Sequence, residues 1–269
     1  MFHVHTYNPH PLLRHCIDSY LEVMVSLPDG GFIENCFLPN ATHSLVFGLD
    51  EGNTVYDSSR SEFCANHFLA GPNDSICRVK LFNGLHKLIV HFKPGGFFKI
   101  FHFPAGQFNN RSRNAEEIGG KKINDIAGQL KKTKLSRKIE LLDAYLIEQL
   151  QGQKRADRNI DEAIELIEKS GGNISLRELQ LATFTTKRTL ERRFLEQVGL
   201  HPKAFSRLVR FNAVIRFIES NLNVKWRQLA DSFGYYDQSH FIHEFKALTG
   251  TLPQEYFTLK NRGEKMMQA

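Results

Sequence analysis

The chain has 269 residues, with 35 Lys and Arg against 29 Asp and Glu and a formal net charge of +6. This length predicts two domains, and no apolar run approaches the ~20 residues of a membrane-spanning helix. The first residues lack the basic segment and apolar core of a secretory signal, and the four cysteines lack paired metal-ligand spacing. These features predict a cytoplasmic protein with free thiols at Cys16, Cys36, Cys64 and Cys77.

Residues 1 to about 105 are predicted to be mostly β. Short β-branched and aromatic runs occupy 43–47 and 87–92, and turn signals such as Pro94-Gly95-Gly96 bound them. The segment 11–25 enters this region as either a helix or a strand, since its pattern fits both.

The 12 histidines raise the question of a metal site. His3 and His5 form an H-x-H pair without a Glu at metal-ligand spacing. His86 and His91 are five residues apart, so they would point to opposite faces of a regular strand. There is also no Gly-rich phosphate loop, no nucleophile elbow and no pair of carboxylates with a supporting base. The sequence therefore predicts no metal site, no cofactor and no catalytic residue.

From about 123 to 150 the pattern becomes helical. An apolar stripe runs along this segment, formed by Leu135, Ile139, Leu142, Leu146 and Leu150. Packing onto the N-terminal β region and a seam between two copies of the chain both explain such a stripe. Residues 151–158 are polar and are predicted to be a linker, so residues 1–150 form a predicted sensing or dimerisation domain.

The C-terminal region contains a degenerate repeat. The runs that start at Phe194 and Phe245 both read F-x4-G-x2-P-x2 followed by Phe or Tyr, with an offset of 245 − 194 = 51. Upstream the offset falls to 50, so that Phe184 answers Gly234, and a one-residue difference in a turn explains the change. Each copy predicts a short helix, a turn and a second helix with an apolar stripe, the layout of a helix-turn-helix.

Local signals place the predicted helices of both copies. Ser175 and Glu178 form an S-x-x-E capping box, and Asp237 is suited to cap the last reading helix. Between the copies, Lys203 to Ser220 has no Gly or Pro and predicts one long helix. At ~1.5 Å per residue it would span roughly 27–30 Å, close to the ~34 Å of one DNA turn.

The run from Gly234 to Tyr256 reads G-Y-x-D-Q-S-H-F-x-x-x-F-K-x-x-x-G-x-x-P-x-x-Y. With this signature, residues from about 160 to 259 resemble the DNA-binding domain of the AraC/XylS family of bacterial transcription regulators. The resemblance implies two helix-turn-helix units joined by a long helix, with one helix of each unit reading DNA. Turn motifs at Leu38-Pro39, 70–72 and 92–96 more weakly resemble an N-terminal sensor-like domain found in part of that family.

The resemblance implies an α+β chain with a β-rich N-terminal domain, an all-α DNA-binding domain at 159–259 and a polar tail at 260–269. Its implied partners are double-stranded DNA, RNA polymerase, a small-molecule effector and a second copy of the chain, with no membrane contact. Two residues depart from the family pattern, because Gln180 replaces an Ala and Phe184 replaces a turn Gly. A Phe at a turn with positive φ would be strained, so we expect the first unit either to be distorted or to bind DNA less precisely.

Position by position, the resemblance nominates DNA-contacting residues on both reading helices. They are Arg188, Glu191 and Arg192 on the first helix, and Gln238, Ser239, His240 and His243 on the second. Lys187 lies on the same polar face of the first helix and is a further candidate. Arg suits guanine, Gln suits adenine and Glu suits cytosine, although solvated helix faces explain the same residues. Ile242 would either contact a thymine methyl group or be buried.

Charge supports contact with phosphates. From Lys187 to Lys246 there are 11 basic and 6 acidic residues, a balance of 11 − 6 = +5. On the linking helix, Lys203, Arg207 and Arg210 suit the DNA backbone better than the bases.

Two classes of function follow from this sequence. The first is a sequence-specific transcription regulator, for which both activation and repression are compatible with the residues. The second is a cupin-like enzyme domain tethered to a DNA-binding module. Because tandem units in one chain are not related by a dyad, a regulator should prefer a non-palindromic site with elements about 10–10.5 bp apart.

Overall fold

A computed structural model describes residues 2–28, 30–151, 158–221 and 224–261. Its strands are β1 (Phe2–Tyr7), β2 (Ile17–Val25), β3 (Phe32–Phe37), β4 (Ser44–Gly48), β5 (Val55–Asp57), β6 (Glu62–Phe63), β7 (Phe68–Ala70), β8 (Cys77–Phe82), β9 (His86–Phe92) and β10 (Ser112–Asn114). Its helices are α1 (Gly96–Phe101), α2 (Glu116–Gly119), α3 (Lys121–Lys132), α4 (Leu135–Gln151), α5 (Arg158–Lys169), α6 (Leu176–Ala182), α7 (Lys187–Val198), α8 (Pro202–Ser220), α9 (Trp226–Ser232), α10 (Gln238–Thr249) and α11 (Pro253–Asn261).

Two antiparallel sheets form the N-terminal part. The larger has the order β1-β2-β9-β4-β7-β10 and the smaller β3-β8-β5-β6. Residues from both sheets, including Val46, Phe68, Val79 and Leu81, share one buried core. The antiparallel sheets and the helical C-terminal region confirm the expected α+β class.

The large sheet is buried on its second face as well. Strand β9 alternates, so that Leu88 and Val90 belong to a core formed with α1, α3 and α4, while Ile89 packs against the core between the sheets. The predicted strands at 43–47 and 87–92 are confirmed, each within one residue. The ambiguous segment 11–25 is a 3₁₀ turn at Pro11–Leu13 followed by β2.

The predicted helical segment consists of α3 and α4, which are separated at Thr133. In the apolar stripe of α4, Leu142 and Leu146 are fully buried in the core beneath the large sheet, and Ile139 and Leu150 pack against it. The side chain of Leu135 lies outside the described ones. The centre of the stripe therefore packs within the chain, as expected if the stripe covers the N-terminal β region.

The C-terminal helices enclose a third core. Phe194 of α7 packs on Phe205 of α8 with ring centroids 5.4 Å apart, and Phe211 of α8 packs on Phe245 of α10 at 5.7 Å. Helix α8 is continuous over 19 residues, which confirms the predicted long helix. Helix α8 therefore contacts α7 and α10, the two helices predicted to read DNA, directly.

The N-terminal and C-terminal parts are packed against each other. Leu38 and Ala41 belong to the core of the C-terminal helices, and Nζ of Lys99 lies 2.7 Å from Oδ1 of Asp161. A Cβ added to Gly106 would lie 3.0 Å from Cδ1 of Leu195 in α7. Most of the predicted linker, residues 152–157, lies outside the described residues, and the predicted domain boundaries stay predictions.

Candidate nucleic-acid interface

The first unit consists of α6, a turn and α7. The Oγ atom of Ser175 accepts a hydrogen bond from the amide of Glu178 at 3.2 Å, and the Glu178 carboxylate accepts one from the amide of Ser175 at 2.8 Å. This confirms the predicted capping box, and hydrogen bonding of the Glu178 carboxyl to the hydroxyl and the backbone amide of Ser175 lowers the pKa of Glu178. Thr186 caps α7 by accepting from the amide of Thr189. Each helix therefore begins at a defined residue.

The second unit has the same order of elements, α9, a longer turn and α10, but only α10 begins with a side-chain cap. The Asp237 carboxylate accepts from the amide of His240 at 2.7 Å, which confirms the predicted cap. Gly199 and Gly250 end α7 and α10 at φ values of 90° and 71°, and a proline begins the next helix in both copies. The repeat seen in the sequence thus corresponds to the capped starts of α7 and α10 and to their glycine ends.

The face of α7 that is predicted to contact DNA is exposed at three of its four candidate residues. Lys187, Arg188 and Arg192 are exposed, whereas Glu191 is half-buried. Arg192 lies 3.5 Å from the carboxylate of Glu196, one turn further along the same helix. A surface pair of this kind is weak, so it leaves the guanidinium able to exchange partners.

All four nominated residues of α10, namely Gln238, Ser239, His240 and His243, are exposed. The ring of His240 lies edge-on to Tyr235 at 5.6 Å. Ile242 is half-buried and packs against the C-terminal core, which favours its buried role over contact with thymine. The structure places both sets of polar residues opposite the buried stripes of their helices; their contacts with DNA stay predictions.

The two turns have the same hydrogen bond despite their different residues. The amide of Thr185 donates to the carbonyl of Gln180 at 3.1 Å, and that of Tyr235 donates to the carbonyl of Ala230 at 3.0 Å. Phe184 has φ 50° where Gly234 has φ 71°, so the expected left-handed conformation of Phe184 is confirmed. The turn itself is not distorted, because the hydrogen bond from Thr185 to Gln180 is kept and the Phe184 side chain, which is 94% exposed, lies in solvent.

The three basic residues nominated on the linking helix α8 differ in how accessible they are for contact with phosphates. Lys203 is exposed. Arg207 and Arg210 both pair with Glu244 of α10, each at 3.3 Å. The side chain of Arg210 is only 16% exposed, so it is a weaker candidate for a phosphate contact than Lys203.

Sequence reasoning missed this pairing and also the unequal roles of the two tyrosines in the second turn. Tyr235 is buried while Tyr236 is 92% exposed. The sequence offered one signal for the second turn. The repeat offset changes by one residue there, so the turn of the second unit is one residue longer than that of the first.

The N-terminal part contains a mainly apolar cavity of about 170 Å³ between its two sheets. Its wall includes Val46, Phe68 and Leu81, and the buried Lys87 reaches it from β9. Nζ of Lys87 lies 2.9 Å from Oδ1 of Asp50, and burial lowers the pKa of this lysine. An apolar cavity of about 150 Å³ is enough to hold a benzene ring.

His91 also faces this cavity, where its Nδ1 atom is hydrogen-bonded to Ser44 at 3.0 Å. His86 lies on the opposite side of β9, with Nε2 2.7 Å from Oε1 of Glu22. The predicted opposite orientation of the two rings is confirmed.

In the parts of the chain that the structure describes, no three His, Cys, Asp or Glu side chains are grouped to hold a metal ion. No described helix is long and apolar enough to cross a membrane.

A buried histidine lies where the N-terminal part meets α7. His43 donates through Nε2 to the carbonyl of Ala105 at 3.2 Å and stacks on Phe97 at 5.0 Å. A Cβ on Gly199 would lie 3.1 Å from its Cε1 atom. Burial lowers the pKa of His43 to about 4, so the ring is neutral at pH 7.

Comparison with known families covers both parts of the chain. Residues 181–258 match a family model described as a helix-turn-helix domain. Residues 5–114 match a model described as a domain of unknown function (DUF6597). No protein with a curated description matches the chain.

Several solved structures are distantly similar. ToxT from Vibrio cholerae shares 13% identity over 96% of this chain and 98% of that chain, with a TM-score of 0.44. A ToxT structure with a bound unsaturated fatty acid shares 16% identity over 95% and 94%, with a TM-score of 0.43. The C-terminal domain of AraT, a response regulator from Geobacillus stearothermophilus, shares 20% identity over 43% of this chain and 92% of that one, with a TM-score of 0.36.

The matched helix-turn-helix model begins within α6 and ends within α11. It therefore includes both reading helices, the linking helix and the whole signature from Gly234 to Tyr256. The chain has the C-terminal helix-turn-helix domain of the AraC/XylS family of transcription regulators.

Proposed function

We propose that this protein is a sequence-specific regulator of transcription that acts in the cytoplasm and reads duplex DNA with α7 and α10. Its N-terminal domain would hold a small effector in the cavity between the two sheets. RNA polymerase and a second copy of the chain are partners that the family resemblance suggests.

One observation carries this proposal. Two helices with exposed polar faces, α7 and α10, are held by a single helix of 19 residues, which spans about 28 Å at ~1.5 Å per residue. That length suits two reading helices placed about one DNA turn apart. The exposed Lys187, Arg188 and Arg192 supply positive charge on the first reading helix, as contact with DNA requires.

The effector role is supported by the nature of the cavity. Ligand sites in proteins are mostly apolar and contain a few placed polar groups. Here the wall is mainly apolar, and its polar lining residues include Lys87, His91 and Arg111, which suits a small, mainly apolar molecule with a polar group.

The test is a selection of random-sequence duplexes by the full chain at low salt, followed by titration of the selected site at rising salt. We expect a non-palindromic site with two elements about 10–10.5 bp apart. The logarithm of the affinity should fall linearly with the logarithm of the salt concentration, by about 0.9 for each phosphate neutralised. A folded chain that enriches no duplex would refute the proposal, and protection of a single groove would refute the reading role of both helices.

A further inference from the structure

Five side chains meet where the linking helix crosses the second unit: Arg207 and Arg210 of α8, Glu244 of α10, Tyr235 of the second turn, and Asn173 of the loop before α6. We call them the Arg210 cluster. They come from four separate segments of the C-terminal region, and Arg210 contacts three of the other four.

The contacts of Arg210 are directional. Its Nη2 atom donates to both carboxylate oxygens of Glu244, at 3.3 and 3.4 Å. Its Cζ atom lies 4.6 Å from the centre of the Tyr235 ring, which is within the range of a cation–π contact. Because a guanidinium is planar and rigid, this combination restrains rotation of α10 about its own axis as well as its distance from α8.

Asn173 extends the cluster to the first unit. It accepts from Nη1 of Arg210 at 3.5 Å and donates to the carbonyl of Phe233 at 3.2 Å. Two glycines allow this approach: a Cβ on Gly172 would lie 2.2 Å from the carbonyl oxygen of Ser206, and one on Gly234 would lie 2.4 Å from the Asn173 side chain. The loop that leads into α6 is therefore in contact with both α8 and the turn that leads into α10.

Glu244 faces away from the reading surface. Its side chain is only 9% exposed, whereas Gln238, Ser239, His240 and His243 on the same helix are exposed. A partly buried carboxylate between two guanidinium groups is held more firmly than a surface pair. The cluster thus restrains the position of α10 without occupying its DNA-facing side chains.

We propose that Arg210 is a positioning residue that fixes the relative orientation of the two reading helices, and thereby the spacing between the two DNA elements that one chain accepts. This inference rests on the proposed function, because it assumes that both units bind the same duplex. Adding one base pair between the elements moves them apart by about 3.4 Å and rotates them by roughly 35°. A firmly held α10 cannot follow such a change, whereas a loosened one can.

The experiment uses the full chain and duplexes that carry both selected elements with one or two base pairs added or removed between them. Arg210→Ala is compared with the wild-type chain and with Arg216→Ala, which removes an exposed arginine from the same helix. We expect the wild-type chain to bind one spacing best. In Arg210→Ala the ratio of affinities between the best spacing and its neighbours should fall about five- to tenfold, the scale of coupling within one hydrogen-bonded network. Base preference within each element should not change, and Arg216→Ala should keep the wild-type profile.

A purely structural role gives a different result. If Arg210→Ala lowers affinity at every spacing by the same factor, the inference is wrong. Glu244→Gln, which changes the partner on the other helix, should broaden the spacing profile in the same way and decides the question if Arg210→Ala does not fold. Failure of the proposed function would be recognised separately, because the wild-type chain itself would then bind no duplex or show no dependence on spacing.

Discussion

Phe184 has a left-handed backbone conformation, and its side chain makes no buried contacts that would compensate for the strain. Its φ of 50° is disfavoured for a residue with a Cβ atom, at a cost of roughly 1–2 kcal/mol. The side chain is almost fully exposed, so burial does not compensate. At the equivalent position of the second unit, Gly234 has the same conformation without this strain.

Substitutions at these two turn positions should have opposite effects on the free energy of unfolding. Phe184→Gly should leave the free energy of unfolding unchanged or raise it by up to ~1 kcal/mol, because relief of strain outweighs the added freedom of the unfolded chain. Gly234→Ala should lower it by about 1–3 kcal/mol, because its Cβ would lie 2.4 Å from the Asn173 side chain at a φ of 71°. Denaturant unfolding of both variants measures this. A loss of more than ~1 kcal/mol in Phe184→Gly would mean that the exposed ring stabilises the first unit.

At the scale of elements, the reading helices are distinguished by what lies opposite their buried stripes. On α7, Leu190, Phe194 and Val198 are fully buried, and the basic residues occupy the other face. On α10, Phe241 and Phe245 are buried in the same manner, while the four exposed residues nominated for DNA contact include no Lys or Arg. We therefore expect α7 to contribute more of the salt-dependent affinity and α10 to contribute mainly preference among bases.

Base reading can be separated from backbone contact by three substitutions. Arg192→Ala and Gln238→Ala should each cost about 1–3 kcal/mol on the best site and relax preference at one or two base pairs. Lys203→Ala, on the exposed side of α8, should weaken all duplexes about equally and reduce the salt dependence. Affinities for the selected site and its single-base variants, from chains with unchanged thermal stability, measure the difference. A uniform loss of affinity across sequences in Arg192→Ala and Gln238→Ala would overturn the assignment of the reading faces.

Features set by local sequence were predictable. The caps at Ser175 and Asp237, the long helix α8 and the repeat of glycine helix ends all depend on residues close together in the chain. The pairing of Arg210 with Glu244 was not, because the residues are 34 positions apart and a basic helix face fits phosphate contact equally well. The stripe of α4 likewise fitted both a dimer seam and a core. The structure places Leu142 and Leu146 in the core, and the dimer stays a prediction.

At the scale of the whole molecule, the N-terminal part supports the first reading helix at its C-terminal end. Gly106 lies against Leu195, and Gly199 lies against both His43 and the carbonyl of Ala105. The segment that provides these contacts continues into Arg111 and Ser112, which line the apolar cavity. The cavity and α7 therefore share one short stretch of chain.

His43, which lies where the N-terminal part meets the end of α7, makes the free energy of unfolding depend on pH. Its pKa is about 4 in the folded chain against ~6.5 when unfolded, so the unfolded chain binds more protons between these values. The stabilisation is complete above pH ~6.5 and is lost as pH falls towards 4, by about 3 kcal/mol in total. In His43→Gln this contribution is absent, so its difference in unfolding free energy from the wild-type chain should shrink over that range. His201→Gln, at an exposed site, is the control, and parallel pH curves for the wild-type chain and His43→Gln would contradict the assignment.

The core of the C-terminal helices, which includes residues of the N-terminal part, also limits the exchange of domains between this protein and others. Leu38 and Ala41 come from the N-terminal part, yet both lie in the core of the C-terminal helices. A chimera joined at residues 152–157 would set these side chains against a foreign helical surface and leave Phe205 and Ile164 with altered neighbours. Exchange of sensing and DNA-binding halves between such regulators therefore requires both sides of this contact to be inherited together, which favours divergence of the whole chain over the shuffling of its parts.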